Sequence, residues 1–221
     1  GDVYKRQMQK GGANRVMANL VDYFSNKEFD VVLVNDIISS TDIPEYEVNA
    51  LAKRIILNET GTSRVFSNYK RIKNLRNIIL KEKPDCVLSF MGPPNVRMLL
   101  AGMFLPCRKV VSVRNDPNRE YGKGIFKKII TNMLFLLADG CVFQTEDASK
   151  YFFDIIRNKS KIIVNPVDKA FFNTPSLETR KNIVTVGRLY PQKNHKLLIQ
   201  AFALIAHQYP DAVSYTHLRA H

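Results

Sequence analysis

Gly187-Arg188-Leu189-Tyr190-Pro191-Gln192-Lys193-Asn194 follows a short apolar run, Asn182 to Val186, and opens an amphipathic segment, His195 to His207. The order is strand, glycine turn, helix start. It brings backbone N–H groups, one Arg and one Lys to a single point, as binding a diphosphate requires. Arg supplies a planar fork and Lys a point charge. Taken singly, either cation at a helix start is most often a solvated surface residue; here the whole string, set between its strand and its helix, favours the ligand reading.

Working outward, the same alternation runs back to the other end of the chain. Gly11-Gly12-Ala13-Asn14-Arg15-Val16 opens a helix marked by Val16, Met17, Leu20, Val21 and Phe24, and Asp30 to Asn35 then reads as a buried strand. Arg54 to Leu57 is a weaker strand, Val65 to Ile79 marks a helix ending before Pro84, and Asp85 to Phe90 is a strand. A short helix over Val96 to Phe104, a strand over Arg108 to Val113 and a helix over Ile125 to Leu137 follow. Asp139 to Gln144 is a strand, Glu146 to Arg157 a helix and Lys161 to Val164 a strand. Strands that are almost continuously apolar, each followed by a helix, indicate an α/β, Rossmann-like doubly wound parallel sheet covered on both faces.

Asn165-Pro166, then Asn173-Thr174-Pro175-Ser176 and the charged Glu178 to Lys181, have linker composition. The expected organisation is therefore one domain over 8–175 and the first βα unit of a second over 176–213. Residues 1–7 show no periodicity where a first strand belongs, and 214–221 interrupt a segment that should run into another strand. Both ends resemble translated sequencing-adapter read-through and are expected to be non-native. The body stays basic without them, because they hold only Lys5, Arg6 and Arg219 against Asp2.

The chain has 221 residues and a net charge of +13. That balance favours polyanions: nucleic acid, an anionic membrane face or phosphorylated substrates. No nucleic-acid module or zinc-finger spacing accompanies it, so no nucleic-acid partner is expected. No apolar run approaches the roughly 18 to 20 residues that span a bilayer. Cys86, Cys107 and Cys141 show no C-x-x-C spacing; they read as reduced thiols of a cytoplasmic protein, two of them in core strands.

GGANRV at 11–16 is similar to the GGAERV signature of family 4 of the GT-B glycosyltransferases, with Asn14 in place of the usual Glu. GRLYPQKNHKLLIQAF at 187–202 resembles that family's GRL-x-x-QKN-x-x-x-LI-x-AF motif. Residues 89–95, 112–117 and 138–146 look like a subgroup that includes N-acetylgalactosaminyltransferases acting on undecaprenyl-linked oligosaccharides. The resemblance spans about residues 8 to 213. It implies a GT-B N-terminal, acceptor-side domain followed by the start of the donor-side domain. It also implies a retaining transfer from a nucleotide-sugar donor, UDP-linked, to a glycan or polyprenyl-diphosphate-linked acceptor, without metal or other cofactor. Gly11, Gly12, Arg188 and Lys193 are implied to bind the donor diphosphate, Gly11 and Gly12 from across an interdomain cleft. The family's donor-binding Glu-x7-Glu motif is not within these residues, so this chain alone is expected to be inactive.

Many family members carry a His near Arg114. Arg114 and Asp116 are the candidate catalytic residues, able to bind acceptor phosphate or orient a sugar hydroxyl; a structural clamp in a turn is the other reading. His195 and His207 read as core or surface residues. The helix over Ile125 to Leu137 also has two readings. Its apolar side could pack on the sheet and leave the lysines in water, or Lys123, Lys127 and Lys128 beside Ile125, Phe126, Ile129 and Ile130 could form an interfacial helix on an anionic membrane surface. A non-catalytic acceptor-lipid or membrane-binding Rossmann module is the alternative function. A dinucleotide oxidoreductase is disfavoured, since no G-x-G-x-x-G follows a strand.

Overall fold

The computed structural model describes residues 12–36, 45–57, 64–167, 172, 182–187, 193–209 and 213–218. Two compact units part between Pro166 and Val167, inside the stretch whose composition reads as a linker.

The first unit opens with helix α1 (Gly12–Ser25), strand β1 (Val32–Asn35), strand β2 (Lys53–Ile56) and helix α2 (Arg64–Glu82). β1 and β2 pair in parallel, Leu33 opposite Arg54. Strand β3 (Cys86–Phe90), helix α3 (Gly92–Ala101), strand β4 (Arg108–Val113) and the short helix α4 (Pro117–Glu120) come next. Then follow helix α5 (Ile125–Phe135), strand β5 (Gly140–Phe143), the single-turn helices α6 (Glu146–Ser149) and α7 (Asp154–Arg157), and strand β6 (Ser160–Ile162). β3, β4, β5 and β6 form one parallel sheet in that order. The doubly wound α/β expectation therefore holds: within this sheet β3, β4, β5 and β6 are joined through α3, through α4 and α5, and through α6 and α7, the helical crossovers that parallel pairing calls for.

The core lies between this sheet and its helices. Val111, Val113 and Phe143 from the strands meet Leu99 from α3 and Phe135 from α5, all essentially without solvent exposure. Phe152 completes it, with its ring centroid 4.7 Å from that of Phe135 and 5.0 Å from that of Phe143. That aromatic also corrects a sequence expectation. The segment 146–157 is not one helix: the chain breaks between α6 and α7, and Tyr151 and Phe152 turn into the core there. Burying two aromatic rings outweighs the few backbone bonds of an uninterrupted short helix.

Cys107 and Cys141 are buried, whereas Cys86 in β3 is exposed, so only one of the two strand cysteines is a core residue. The second unit contains strand β7 (Asn182–Gly187), helix α8 (His195–Ile205), a 3-10 turn (Ala206–Gln208) and strand β8 (Val213–Leu218). β8 pairs with β7 in parallel, Asn182 opposite Val213 and Gly187 opposite Leu218. Most of β8 falls within the end read as foreign.

Candidate functional site

The carboxyl ends of the first unit's strands gather charge and strain, the edge where open parallel sheets take ligands. Asp36 directly follows β1, and its carboxylate lies 2.8 Å from the guanidinium of Arg97 on α3, with the two side chains only 12% and 6% exposed. Paired charges this well buried lock one arrangement of β1 and α3, because removing either partner would strand the other.

Between β3 and α3, Met91 has φ 73° and ψ 160°. A side chain in that region costs on the order of 1–3 kcal/mol. The surroundings hold it there: Met91 N–H donates to the Ser112 carbonyl at 3.0 Å, and its own carbonyl accepts from Asn95 N–H at 2.9 Å. Asn95 is fully buried. Its Oδ1 accepts from the Ser89 hydroxyl at 2.6 Å, while Nδ2 donates to the Ser112 carbonyl at 3.0 Å and to the Tyr121 hydroxyl at 3.2 Å. Strain backed by a satisfied buried network marks a turn whose shape is specified.

Arg114 follows β4 and is 9% exposed. Its guanidinium carbon lies 4.7 Å from the centre of the Phe90 ring, and Nη2 donates to Asn165 Oδ1 at 2.7 Å. Burial pulls its pKa down from the ordinary guanidinium value, yet arginine keeps its proton in proteins. Arg15 in the first turn of α1 donates from Nη2 to the Pro166 carbonyl at 3.3 Å. The residues 165 and 166, which read as linker, thus tie the start of α1 to the end of β4. Among the described residues, a Cβ added at Gly12, the first residue of α1, would meet no atom within 4 Å. Asn14, at the position where the motif usually has Glu, is buried.

Asp116 is placed differently. Its Oδ1 accepts from Asn118 N–H at 3.0 Å as the N-cap of α4, and its Oδ2 lies 3.8 Å from Arg119. Arg114 faces Phe90 and Asn165, while Asp116 closes a helix start. Gly11 and Arg188 lie outside the described residues. Lys193 is exposed just before α8, where Asn194 adopts the left-handed conformation with φ 46°. His195 is half-buried and His207 exposed.

Sequence reading missed Arg97 with Asp36, the strain at Met91 and the part played by Asn165. Gly92-Pro93-Pro94 did carry a signal for the tight helix entry, since Pro is suited to the first turn. Nothing local announces the bond from Arg114 to Asn165.

Residues 10–171 match the family described as Glycosyltransferase Family 4. The chain is 30% identical over 220 residues to the N-acetylgalactosamine-N,N'-diacetylbacillosaminyl-diphospho-undecaprenol 4-alpha-N-acetylgalactosaminyltransferase of Campylobacter jejuni, covering 91% of this chain and 58% of that protein. It spans about half the length of the curated relatives it matches, between 46% and 58% of each. Among solved structures, the Anabaena HepE protein in complex with UDP and glucose is similar with a TM-score of 0.62 at 14% identity, over 95% of this chain and 59% of that one. The lipopolysaccharide outer core galactosyltransferase WaaB in its apo form gives 0.59 at 12% identity, over 95% and 65%. At such identities the structural likeness shows the fold alone, that of the GT-B transferases.

Proposed function

Because the chain belongs to glycosyltransferase family 4, we propose that it transfers a sugar from a UDP-linked donor to a lipid-linked glycan acceptor with retention at the anomeric carbon. The observation that carries this reading is the coincidence of the family match over 10–171 with a strand over Asn182–Gly187 and a helix over His195–Ile205 on either side of the Arg188 to Lys193 string. A departing nucleoside diphosphate develops charge that fixed cations must meet in a water-poor site. Arg188 and Lys193 are the cations proposed for that role, and Gly11 and Gly12 the backbone that approaches the diphosphate. On the acceptor side, Arg114 has the buried, oriented guanidinium that suits a phosphate or sugar hydroxyl, and Asp116 shapes the adjoining turn. No metal or other cofactor is invoked.

The acceptor class follows from the relative that acts on a diphospho-undecaprenol-linked glycan. An acceptor of that kind sits in a membrane and a nucleotide sugar in the cytoplasm, which supports a cytoplasmic protein working at the inner face of the cell membrane. Such work contributes to cell-surface polysaccharide or glycoconjugate synthesis. Among the described residues α8 buries no side chain, and we expect the 221-residue chain by itself to show no appreciable transfer.

The test uses a longer protein containing this chain, radiolabelled UDP-sugars and a polyprenyl-diphosphate-linked glycan. Transfer is expected from one of the donors, and Arg188→Ala or Lys193→Ala should each lower it roughly 10²-fold, the scale of losing one preorganised charge-stabilising group. Wild-type rates in both variants would return these residues to the surface.

A further inference from the structure

Arg114 is a buried cation whose neighbours hold it without neutralising it. The carboxylates at this end of the sheet are engaged elsewhere: Asp36 on Arg97, Asp116 on the start of α4 and Glu120 on Asn115. Phe90 offers Arg114 its ring face, and Asn165 offers a neutral amide oxygen. The guanidinium Nε lies buried with no hydrogen-bond partner among the described residues. A buried charge without an anion and a buried donor without an acceptor both cost stability. One anionic ligand would answer both.

Asn165 fixes where that donor points. As the chain leaves β6, Ile163 N–H donates to the Phe143 carbonyl at 2.8 Å, and Pro166 restricts the residue before it to extended backbone. The Pro166 carbonyl in turn accepts from Arg15 Nη2 of α1 at 3.3 Å. Asn165 is therefore pinned on both sides, while the residue itself stays exposed. With Oδ1 given to Arg114, its Nδ2 donors are left for a ligand. An aspartate at 165 would be the stronger, charge-assisted partner for arginine, and it would cancel the charge. The amide keeps the geometry and leaves the charge in force. A planar guanidinium held in this way matches a phosphate oxyanion.

We propose that Asn165 is a positioning residue: it holds Arg114 uncompensated, so that Arg114 Nε and Asn165 Nδ2 meet one phosphate oxyanion at the strand ends of the first unit. The anion site stands on these contacts alone. Its place in the reaction, on the diphosphate of the acceptor or of the donor, rests on the transferase reading.

Inorganic pyrophosphate is titrated calorimetrically into the 221-residue chain, without metal and at near-physiological salt, after circular dichroism shows each variant folded. Binding is expected in the parent. Asn165→Asp should weaken it at least roughly tenfold, the order for an interaction with a charged group, and Asn165→Ala about fivefold, the order for one neutral hydrogen bond. Asn165→Asp should also unfold in urea no earlier than the parent, which separates lost binding from lost fold. A purely structural tether predicts the opposite order, with the aspartate variant binding as the parent does. The inference is overturned if the folded chain does not bind pyrophosphate or if Asn165→Asp binds like the parent. Binding lost in Lys193→Ala and kept in both Asn165 variants would overturn it as well. In a longer protein containing this chain, Asn165→Asp should raise KM roughly fivefold or more, with kcat changed less. A rise for a diphosphate-linked acceptor places the oxyanion there; a rise for the UDP-sugar places it on the donor. An unchanged KM for both substrates would count against the inference. No transfer by the parent, with pyrophosphate binding still dependent on Asn165, would sink the transferase reading and leave the anion site standing.

Discussion

α5 and α8 both show apolar side chains to water, and for different reasons. In α5 the outward residues are balanced by an inward stripe that is closed: Phe135 has no exposure and Asn132 has its partners. In α8 no residue is buried, with Leu197 58%, Ile199 62% and Leu204 76% exposed. One helix belongs to a finished core and offers a second face; the other has no core among the described residues. Exposure alone says little about a surface until the opposite stripe is known.

The largest break in that comparison should come from Phe135→Ala. It removes a fully buried ring that touches Phe152 and Tyr121, and should cost about 3–5 kcal/mol in urea unfolding of the first unit. A loss below about 1 kcal/mol would mean that α5 is not held by this stripe. Asn132→Ala should follow at about 1–3 kcal/mol, because it leaves the Phe153 N–H without its acceptor. A neutral result would remove the polar half of the inward anchor.

Cys141 reports on the same core. Burial pushes its thiol from the ordinary 9.0 up to about 12. The folded unit therefore favours the protonated thiol. Its contribution is intact below pH 9 and declines as pH rises towards about 12, where the unfolded chain ionises first. Alkylation of Cys141 at pH 8, followed apart from that of the exposed Cys86, should be slow in the native protein and fast in Phe135→Ala; rapid native labelling of Cys141 would contradict a closed core. The smallest effect is expected from Leu204→Ala in α8, within about 0.5 kcal/mol, as for an exposed position without buried contacts. Amide exchange sharpens the point: α5 should be protected to the level of the sheet and α8 should exchange early. Equal protection would show that the second unit does build a core.

Much of the sheet was legible because β1, β3, β4 and β5 are mostly apolar runs: Arg108 to Val113 became β4 without adjustment, and β1, β3 and β5 shifted by at most a few residues. Helical periodicity found α5 but could not orient it. A period states that two faces differ; which one goes inward was decided by Asn132 meeting Phe153 and Phe135 meeting Phe152. The break between α6 and α7 was hidden for a similar reason, since Tyr151 and Phe152 fit a helical stripe and still pack better without one. At the site, Gly12 and Lys193 fall beside helix starts as the local string implies, while Gly11 and Arg188 lie outside the described residues. The bond from Arg114 to Asn165 joins residues 51 positions apart and leaves no local mark.

The measurement that tests the account most directly is sugar transfer by a longer protein containing this chain, from a UDP-sugar to one glycan presented two ways. The glycan is placed on a polyprenyl diphosphate in anionic vesicles, and separately on a short water-soluble lipid diphosphate. The account predicts a retained anomeric configuration in both products and a roughly 10²-fold loss with both acceptors in Lys193→Ala. No transfer to either acceptor, or an inverted product, would contradict the proposed reaction.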